Sequence, residues 1–347
     1  MYFFAGSYTE TDAPAPAPKG LGIVSCSFDP GDGSIRIIDS QFQRNPAYPI
    51  VSANGMFLYA AEEILLSEKP RLVAYKILED GRLATINAAA LPGSYGCHLA
   101  IANQTLLVAN YGSGNISVYS LEEDYQIGPL IQNIQHTGSG IHKERQEASH
   151  PHMVYLLNDQ TVYCVDLGID MAKAYHFEVD AKKWKPLPSL DIQVKQGAGA
   201  RHMDMDLKKE WMVLIGELSG EVFLYRKTKT GFECMDTVST GKGEMTAAAI
   251  RVHANGRFIY CSERTTNCIY AFKISANKLQ SIGVFPSGGK TPRDIAIDPT
   301  GKWLLSANQN GNTIAVFSID QLTGELRFSG ECSIPTPSCI CWRHPGT

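Results

Sequence analysis

The stretch GARHMDMDL, residues 199–207, sets Arg201 and His202 side by side directly after a glycine-rich turn. An arginine is a fixed, forked cation suited to oxyanions, carboxylates and phosphates, and a histidine exchanges protons near neutral pH. Glu217 stands fifteen residues beyond His202 and can orient an imidazole or itself accept a proton. His150 and His152 flank Pro151, Arg264 and Arg293 supply further cations, and Asn110 and Gln309 supply amides. Taken singly, an Arg or Glu at the end of a strand is ordinarily an ion pair between neighbouring elements. Brought to one place, these cations and histidines make a site for a small anion.

The elements that position them are strands. Amphipathic helical patterning is nearly absent, and short β-branched and aromatic runs alternate with Gly, Asp, Asn and Pro. FLYAAEE, LLVANYGSGNISVYSL, VYCVDLGIDMAKAYHFE, MVLIGELSGEVFLYR, FIYCSERTTNCIYAFKI and LLSANQNGNTIAVFSI share one shape: a hydrophobic strand, a turn, and a second strand. Aligning them makes Glu62, Asn110, Asp166, Glu217, Glu263 and Asn308 equivalent, 45 to 56 residues apart. That is the spacing of four-stranded propeller blades. Ser7 occupies the same place near the N-terminus, giving seven units.

Another short alternating strand precedes most units: YPIVSA, CHLAIA, HPHMVYL, RHMDMDL, AAAIRVH and PRDIAID. PSCICW has the same character but no blade follows it, whereas the N-terminal unit lacks an innermost strand. The pattern predicts an all-β, seven-bladed β-propeller of four-stranded antiparallel blades, one domain over residues 1–347, closed by the C-terminal strand joining the N-terminal blade. Turn signals weaken at NDQT and LKKE, which makes blades four and five the faintest.

In an antiparallel meander the entrance to the inner strand and the exit of the second strand lie at the same end. Arg201 and His202, Glu217, His150 and His152, Arg293, Asn110 with Tyr111, Asp166, Arg264, and Asn308 with Gln309 are thereby directed to one face. Three insertions reach that face: TETDAPAPAPKG, EILLSEKP and HTGSGIHKERQEAS. The first is Pro-rich and is expected to be extended and mobile.

Composition excludes other classes. Hydrophobic residues make up 44%, charged residues 19%, and the net charge is -4 with no basic block, which argues against nucleic acid. No apolar run is long enough to span a membrane, and MYFFAGSYTE reads as a first strand rather than a signal peptide. Nine scattered cysteines suit buried thiols in a reducing cytoplasm. No cofactor is expected. H-x-H at 150–152 has metal-like spacing but no carboxylate placed to complete a ligand set. GSGNIS lies in a hairpin with no helix to receive a pyrophosphate, and no G-x-S-x-G elbow occurs. Oligomeric state leaves no signature.

GARHMDMDL with GELSGEVFLY, SERTTNCIYAFKI and TPRDIAIDPTGKWLLSANQNGNTIAVFSID resembles the lactonase family of seven-bladed propellers, along essentially the whole chain. The family's best-known activity is that of 6-phosphogluconolactonase, in the pentose phosphate pathway, and a fungal carboxy-muconate cyclase is a relative. The resemblance implies metal-independent hydrolysis of an anionic sugar lactone, 6-phosphoglucono-1,5-lactone. It places site residues at His150 or His152, Arg201, His202, Glu217, Arg264 and Gln309; the strand-end positions add Asn110 and Arg293, which with Gln309 are expected to bind substrate. A histidine near its ordinary pKa would serve as base, or Glu217 would; Arg201 or Arg264 would hold the oxyanion and Arg293 the phosphate. The alternatives are a cycloisomerase or lactonase acting on another carboxylated lactone, and a propeller that only binds partners.

Overall fold

The computed structural model describes residues 1–11, 17–241 and 243–343. Residues 12–16 of the Pro-rich insertion, on which the expectation of an extended mobile segment falls, lie outside them. Seven antiparallel sheets form a ring. From inside outward, blade one is Pro337–Trp342, Tyr2–Ser7, Ile23–Phe28 and Ile35–Gln41. The inner and second strands of the next blades are Ile50–Val51 with Phe57–Ala61, Gly96–Ala102 with Thr105–Asn110, and Pro151–Asn158 with Thr161–Asp166. The last three pairs are Ala200–Met205 with Trp211–Gly216, Ala247–Val252 with Phe258–Glu263, and Pro292–Ile297 with Trp303–Asn308. Blade four carries a small fifth strand, Ile192–Gln193, on the edge of its third.

Second strands are sandwiched between neighbouring blades, so they lose the in–out alternation of a half-buried strand. Thr105–Asn110 and Phe258–Glu263 are buried at every residue. Outermost strands keep their exposed positions, as in Leu83–Ala90. The core is therefore a series of interblade seams rather than one centre. One such seam packs Met153, Tyr163 and Val165 of blade four on Met203, Met205 and Leu214 of blade five.

The ring closes as the spare C-terminal strand requires. Phe3 pairs with Trp342, Phe4 with Cys341, Ala5 with Ile340 and Gly6 with Cys339. Trp342 meets Phe3 and Phe28 edge-on, at centroid distances of 5.3 and 5.2 Å.

Blade five forms without the usual Asp-x-x-Gly turn. In blade seven, Asp298 accepts the Trp303 amide at 2.8 Å and Gly301 takes the left-handed conformation at φ 73°. In blade five, Asp206 does the same for Trp211 at 2.7 Å, and Lys209 occupies the left-handed position at φ 56°. A non-glycine residue there costs ~1–2 kcal/mol, which the carboxylate's amide bonds offset.

Candidate active site

Six of the seven inner strands carry one extra residue at the same point, just after their first pair. Gly96 and His98 pair with the adjacent residues Asn110 and Ala109, leaving Cys97 over. The same count singles out His152, Arg201, Arg293 and Ser338, and blade six gains one residue at Ala248–Ala249. A bulge re-aims a side chain that the pleat would otherwise send into a seam. This is why Arg201 and His202, neighbours that an unbroken strand would point to opposite faces, both line the central channel.

The exits of the second strands obey a similar rule, shifted one residue from the sequence alignment. Gly216, not Glu217, pairs with the first residue of its inner strand, as Asn110, Asp166, Glu263 and Asn308 do. Side chains at that position serve their own blade. Asn110 donates to Ser117 Oγ at 2.9 Å, Asp166 accepts the His150 amide at 2.7 Å, and Asn308 donates to the Ser287 carbonyl at 3.0 Å. The residue after it supplies the cavity: Glu63, Tyr111, Glu217 and Arg264 all line it. Asn110 is absent from that lining, a correction to the alignment that placed it beside Glu217.

The cavity encloses about 430 Å³. Its ionic lining is Arg145, Arg201, Arg264 and Arg293 with Glu63 and Glu217, beside His152, Tyr95, Tyr111 and Thr246. Glu217 is the hub. It accepts from Arg201 Nε at 2.6 Å and Arg145 Nη2 at 2.6 Å, and pairs with Arg264 Nη2 at 3.1 Å. Burial opposes its charge, but Arg264, Arg201 and Arg145 outweigh burial and hold the carboxyl well below the usual carboxylate range. Arg201 also donates to the Ala248 carbonyl at 2.7 Å, and burial lowers its guanidinium to about 10, which leaves it cationic at neutral pH.

Arg145 comes from the insertion between blades three and four, where no strand periodicity marks it. Gln146 fixes that loop by donating to the Leu167 carbonyl and to Asp170 Oδ1, both at 2.8 Å. Asp170 also accepts the amides of Gly197 and Gly199 at 2.7 and 2.6 Å. Gly199 sits at φ 67°, where a Cβ would lie 2.6 Å from Leu218 Cγ. One buried carboxylate thus anchors both the Arg145 loop and the glycine-rich turn that delivers Arg201.

The two histidines of S-H-P-H have different surroundings. His152 lines the cavity. His150 stacks on Tyr111 with centroids 4.4 Å apart, its Nδ1 is 2.9 Å from the Tyr111 carbonyl, and it lies outside the lining. His202 lies deeper in the channel, its ring 5.3 Å from that of His152. Burial, then Arg201, pushes His152 and His202 well below the ordinary imidazole value. Both are neutral at physiological pH and poor proton acceptors, unlike the near-neutral histidine base expected from the sequence.

Arg293 is 9% exposed, with Nη2 3.7 Å from Glu63 Oε1 and its guanidinium over the Tyr8 ring at 5.1 Å. Gln309, at the second-strand exit of blade seven, is buried and outside the cavity lining. Glu63, Tyr95, Arg145 and Thr246 are cavity residues that the sequence pattern did not single out, whereas Tyr111 lies on the face expected. The off-by-one register explains Glu63; the loop origin explains Arg145.

The acidic residues at second-strand exits are committed elsewhere. Glu62 pairs with Arg71 at 2.9 Å, Asp166 with His136 at 2.7 Å, and Glu263 accepts the amides of Thr246 and Thr266. No helix among the described residues is long and apolar enough to cross a membrane.

Residues 2–342 match the family model described as lactonase, 7-bladed beta-propeller. The chain is 30% identical over 339 residues to a Formosa agariphila protein named 6-phosphogluconolactonase, covering 93% of this chain and 94% of that one. It is 31% identical over 313 residues to a Bacillus subtilis 6-phosphogluconolactonase, covering 86% and 88%. A Bacteroides fragilis structure provisionally assigned as a 6-phosphogluconolactonase superposes with a TM-score of 0.91 at 26% identity, over 98% of this chain and 96% of that one.

Proposed function

The chain belongs to the lactonase family of seven-bladed β-propellers, and from that premise we propose that it opens 6-phosphoglucono-1,5-lactone with water to give 6-phosphogluconate. The observation that carries the substrate is charge. In a protein of net charge -4, the described residues set four arginines against two carboxylates in one cavity. Such an excess of fixed cations suits a phosphate dianion and a developing oxyanion.

Depth supports a division of labour. Arg145 is 37% exposed at the rim and Arg264 15% exposed, whereas Arg201 is 2% exposed. We assign the phosphate to Arg145 and Arg264 and the reacting ester to Arg201, with Arg293 opposite it. Water adds to C1, the carbonyl oxygen becomes an oxyanion beside Arg201, and the C1–O5 bond breaks as the oxyanion collapses. His152, neutral, serves as a hydrogen-bond partner rather than a charge. Glu217 positions three guanidiniums rather than accepting the proton, because its lone pairs are already engaged. The nine free thiols are in keeping with a cytoplasmic enzyme.

The test follows freshly prepared 6-phosphogluconolactone by rapid proton release, with spontaneous hydrolysis subtracted, against unphosphorylated gluconolactone. The phosphorylated lactone is expected to have a kcat/KM higher by at least about tenfold, the worth of one charge-assisted hydrogen bond of ~1.5 kcal/mol. Equal values would remove the phosphate assignment, and no acceleration of either lactone would remove the hydrolase reading.

The same assay bears on metal. Among the described residues no group of three His, Cys, Asp or Glu is arranged around a common point, and Glu217 is saturated by guanidiniums. We expect exhaustive EDTA treatment to leave the rate unchanged. Activity lost to EDTA and restored by Ca²⁺ or Mg²⁺ would put a hard cation into the mechanism.

A further inference from the structure

We propose that Glu63 is the general base of this hydrolysis, acting on a water seated in the channel beneath the sugar cavity; the inference rests on the lactonase reading above. Among the described residues two carboxylates line the cavity, and their settings are opposite. Glu217 has guanidinium donors on both oxygens. Among the described residues the Glu63 carboxylate holds one hydrogen bond, from the Tyr8 hydroxyl to Oε2 at 2.7 Å, while Oε1 is 3.7 Å from the nearest described cation, Arg293 Nη2, beyond hydrogen-bond reach. One oxygen of Glu63 is therefore open to a water where neither oxygen of Glu217 is.

The place for that water is also present. Below the cavity is a void of about 10 Å³ lined by Glu63, His152, Arg201, His202 and Arg293 among others. That is on the order of the room one water needs. The Nδ1 atoms of His152 and His202, both in buried side chains, have no hydrogen-bond partner among the described residues, and a water between them and Glu63 would satisfy both. Glu63 lines the void and the cavity alike, so a water leaving one enters the other beside its carboxylate.

The proton balance closes on this one residue. As the water oxygen bonds to C1, its proton passes to Glu63 and the carbonyl electron pair moves to the exocyclic oxygen. On collapse the C1–O5 pair departs with O5, which takes the proton back from Glu63 and becomes the C5 hydroxyl. One water is consumed, and the product acid ionises into solvent. Burial raises the Glu63 pKa above the ordinary glutamate value, against Arg293, the Tyr8 hydroxyl and Arg201, which lower it, and this makes it the stronger base of the pair. The other titratable groups lining the void are Cys97 and Tyr48, both kept protonated by burial; His152 and His202 face Glu63 across the void as neutral rings.

The experiment measures kcat against pH for wild type, Glu63→Gln and Tyr8→Phe, with thermal melts to establish folding. Glu63→Gln is expected to lower kcat at least about 100-fold with KM little changed, and to abolish the acid limb of the profile. A base works above its pKa and fails as pH falls through it. Tyr8→Phe removes a donor that favours the ionised carboxylate, so its acid limb is expected at higher pH. A Glu63→Gln enzyme retaining the wild-type kcat or acid limb overturns the assignment while leaving the lactonase reading intact. If Glu63→Gln does not fold, an unmoved acid limb in Tyr8→Phe overturns it. Wild type that fails to accelerate lactone hydrolysis overturns both.

Discussion

A chain ending before Pro337 is expected to lose its cooperative unfolding transition. The deleted strand supplies the inner edge of the N-terminal blade, pairing from Phe3–Trp342 to Ser7–Pro337. It also bonds both neighbouring blades: the Ser338 hydroxyl donates to the Ala47 carbonyl at 2.9 Å, and the Ile340 amide to Asp294 Oδ2 at 3.0 Å. Ile340 and Trp342 fill the seam with Phe3, Val24 and Leu305. Exposing large apolar side chains of this kind costs ~1.5–3 kcal/mol each, against a typical total stability of ~5–15 kcal/mol. Truncation would further leave Tyr2–Ser7 as an open edge facing the channel, with a full row of unpaired amides. Calorimetry and circular dichroism on residues 1–336 should show no sharp melt. A truncated protein melting as wild type would mean that the ring is held without its closing strand.

That strand was legible because closure leaves a numerical trace: one strand short at the beginning, one over at the end. The propeller as a whole was legible for the same reason, since each blade repeats its apolar runs. Blade five was faint only where a side chain had replaced glycine, as Lys209 does in the Asp206 turn. The site was harder to read because its rules are local departures from that periodicity. Alternation assigns Arg201 and His202 to opposite faces, and only the bulge brings both inward. The alignment put Glu217 level with Asn110, whereas pairing puts Gly216 there and sends Asn110 into its own blade. Shifting the register by one residue would have replaced Glu62 by Glu63 and Asn110 by Tyr111, the residues that line the cavity. A trace of the bulges does exist in sequence: Pro151-His152, Pro292-Arg293 and Pro337-Ser338 set a proline, which donates nothing to a ladder, just before the re-aimed residue. Arg145 leaves no such trace, because a loop held by Gln146 and Asp170 has no period to break.

Arg201→Ala is expected to lower kcat/KM by roughly 100-fold or more while the protein remains folded. The guanidinium is divided in function. Nε is committed to Glu217 and Nη1 to the Ala248 carbonyl, while Nη2 carries no hydrogen bond to the described residues and is the donor left for substrate. Losing one preorganised donor to an oxyanion costs ~3–4 kcal/mol of transition-state stabilisation, and the loss should fall on kcat more than on KM because the oxyanion exists only after water has added. Removing one partner of a buried ion pair ordinarily costs ~3–5 kcal/mol of stability. Here Glu217 retains Arg145 at 2.6 Å and Arg264 at 3.1 Å, so no buried charge is stranded and the melting temperature should fall only by a few degrees. Arg201→Lys separates the two roles: its single ammonium can meet Glu217 or the substrate, not both, so it should restore the melt without restoring kcat. If Arg201→Ala folds and keeps the wild-type kcat/KM, the ion pair is scaffolding alone and the oxyanion must be held from Arg293's side of the cavity.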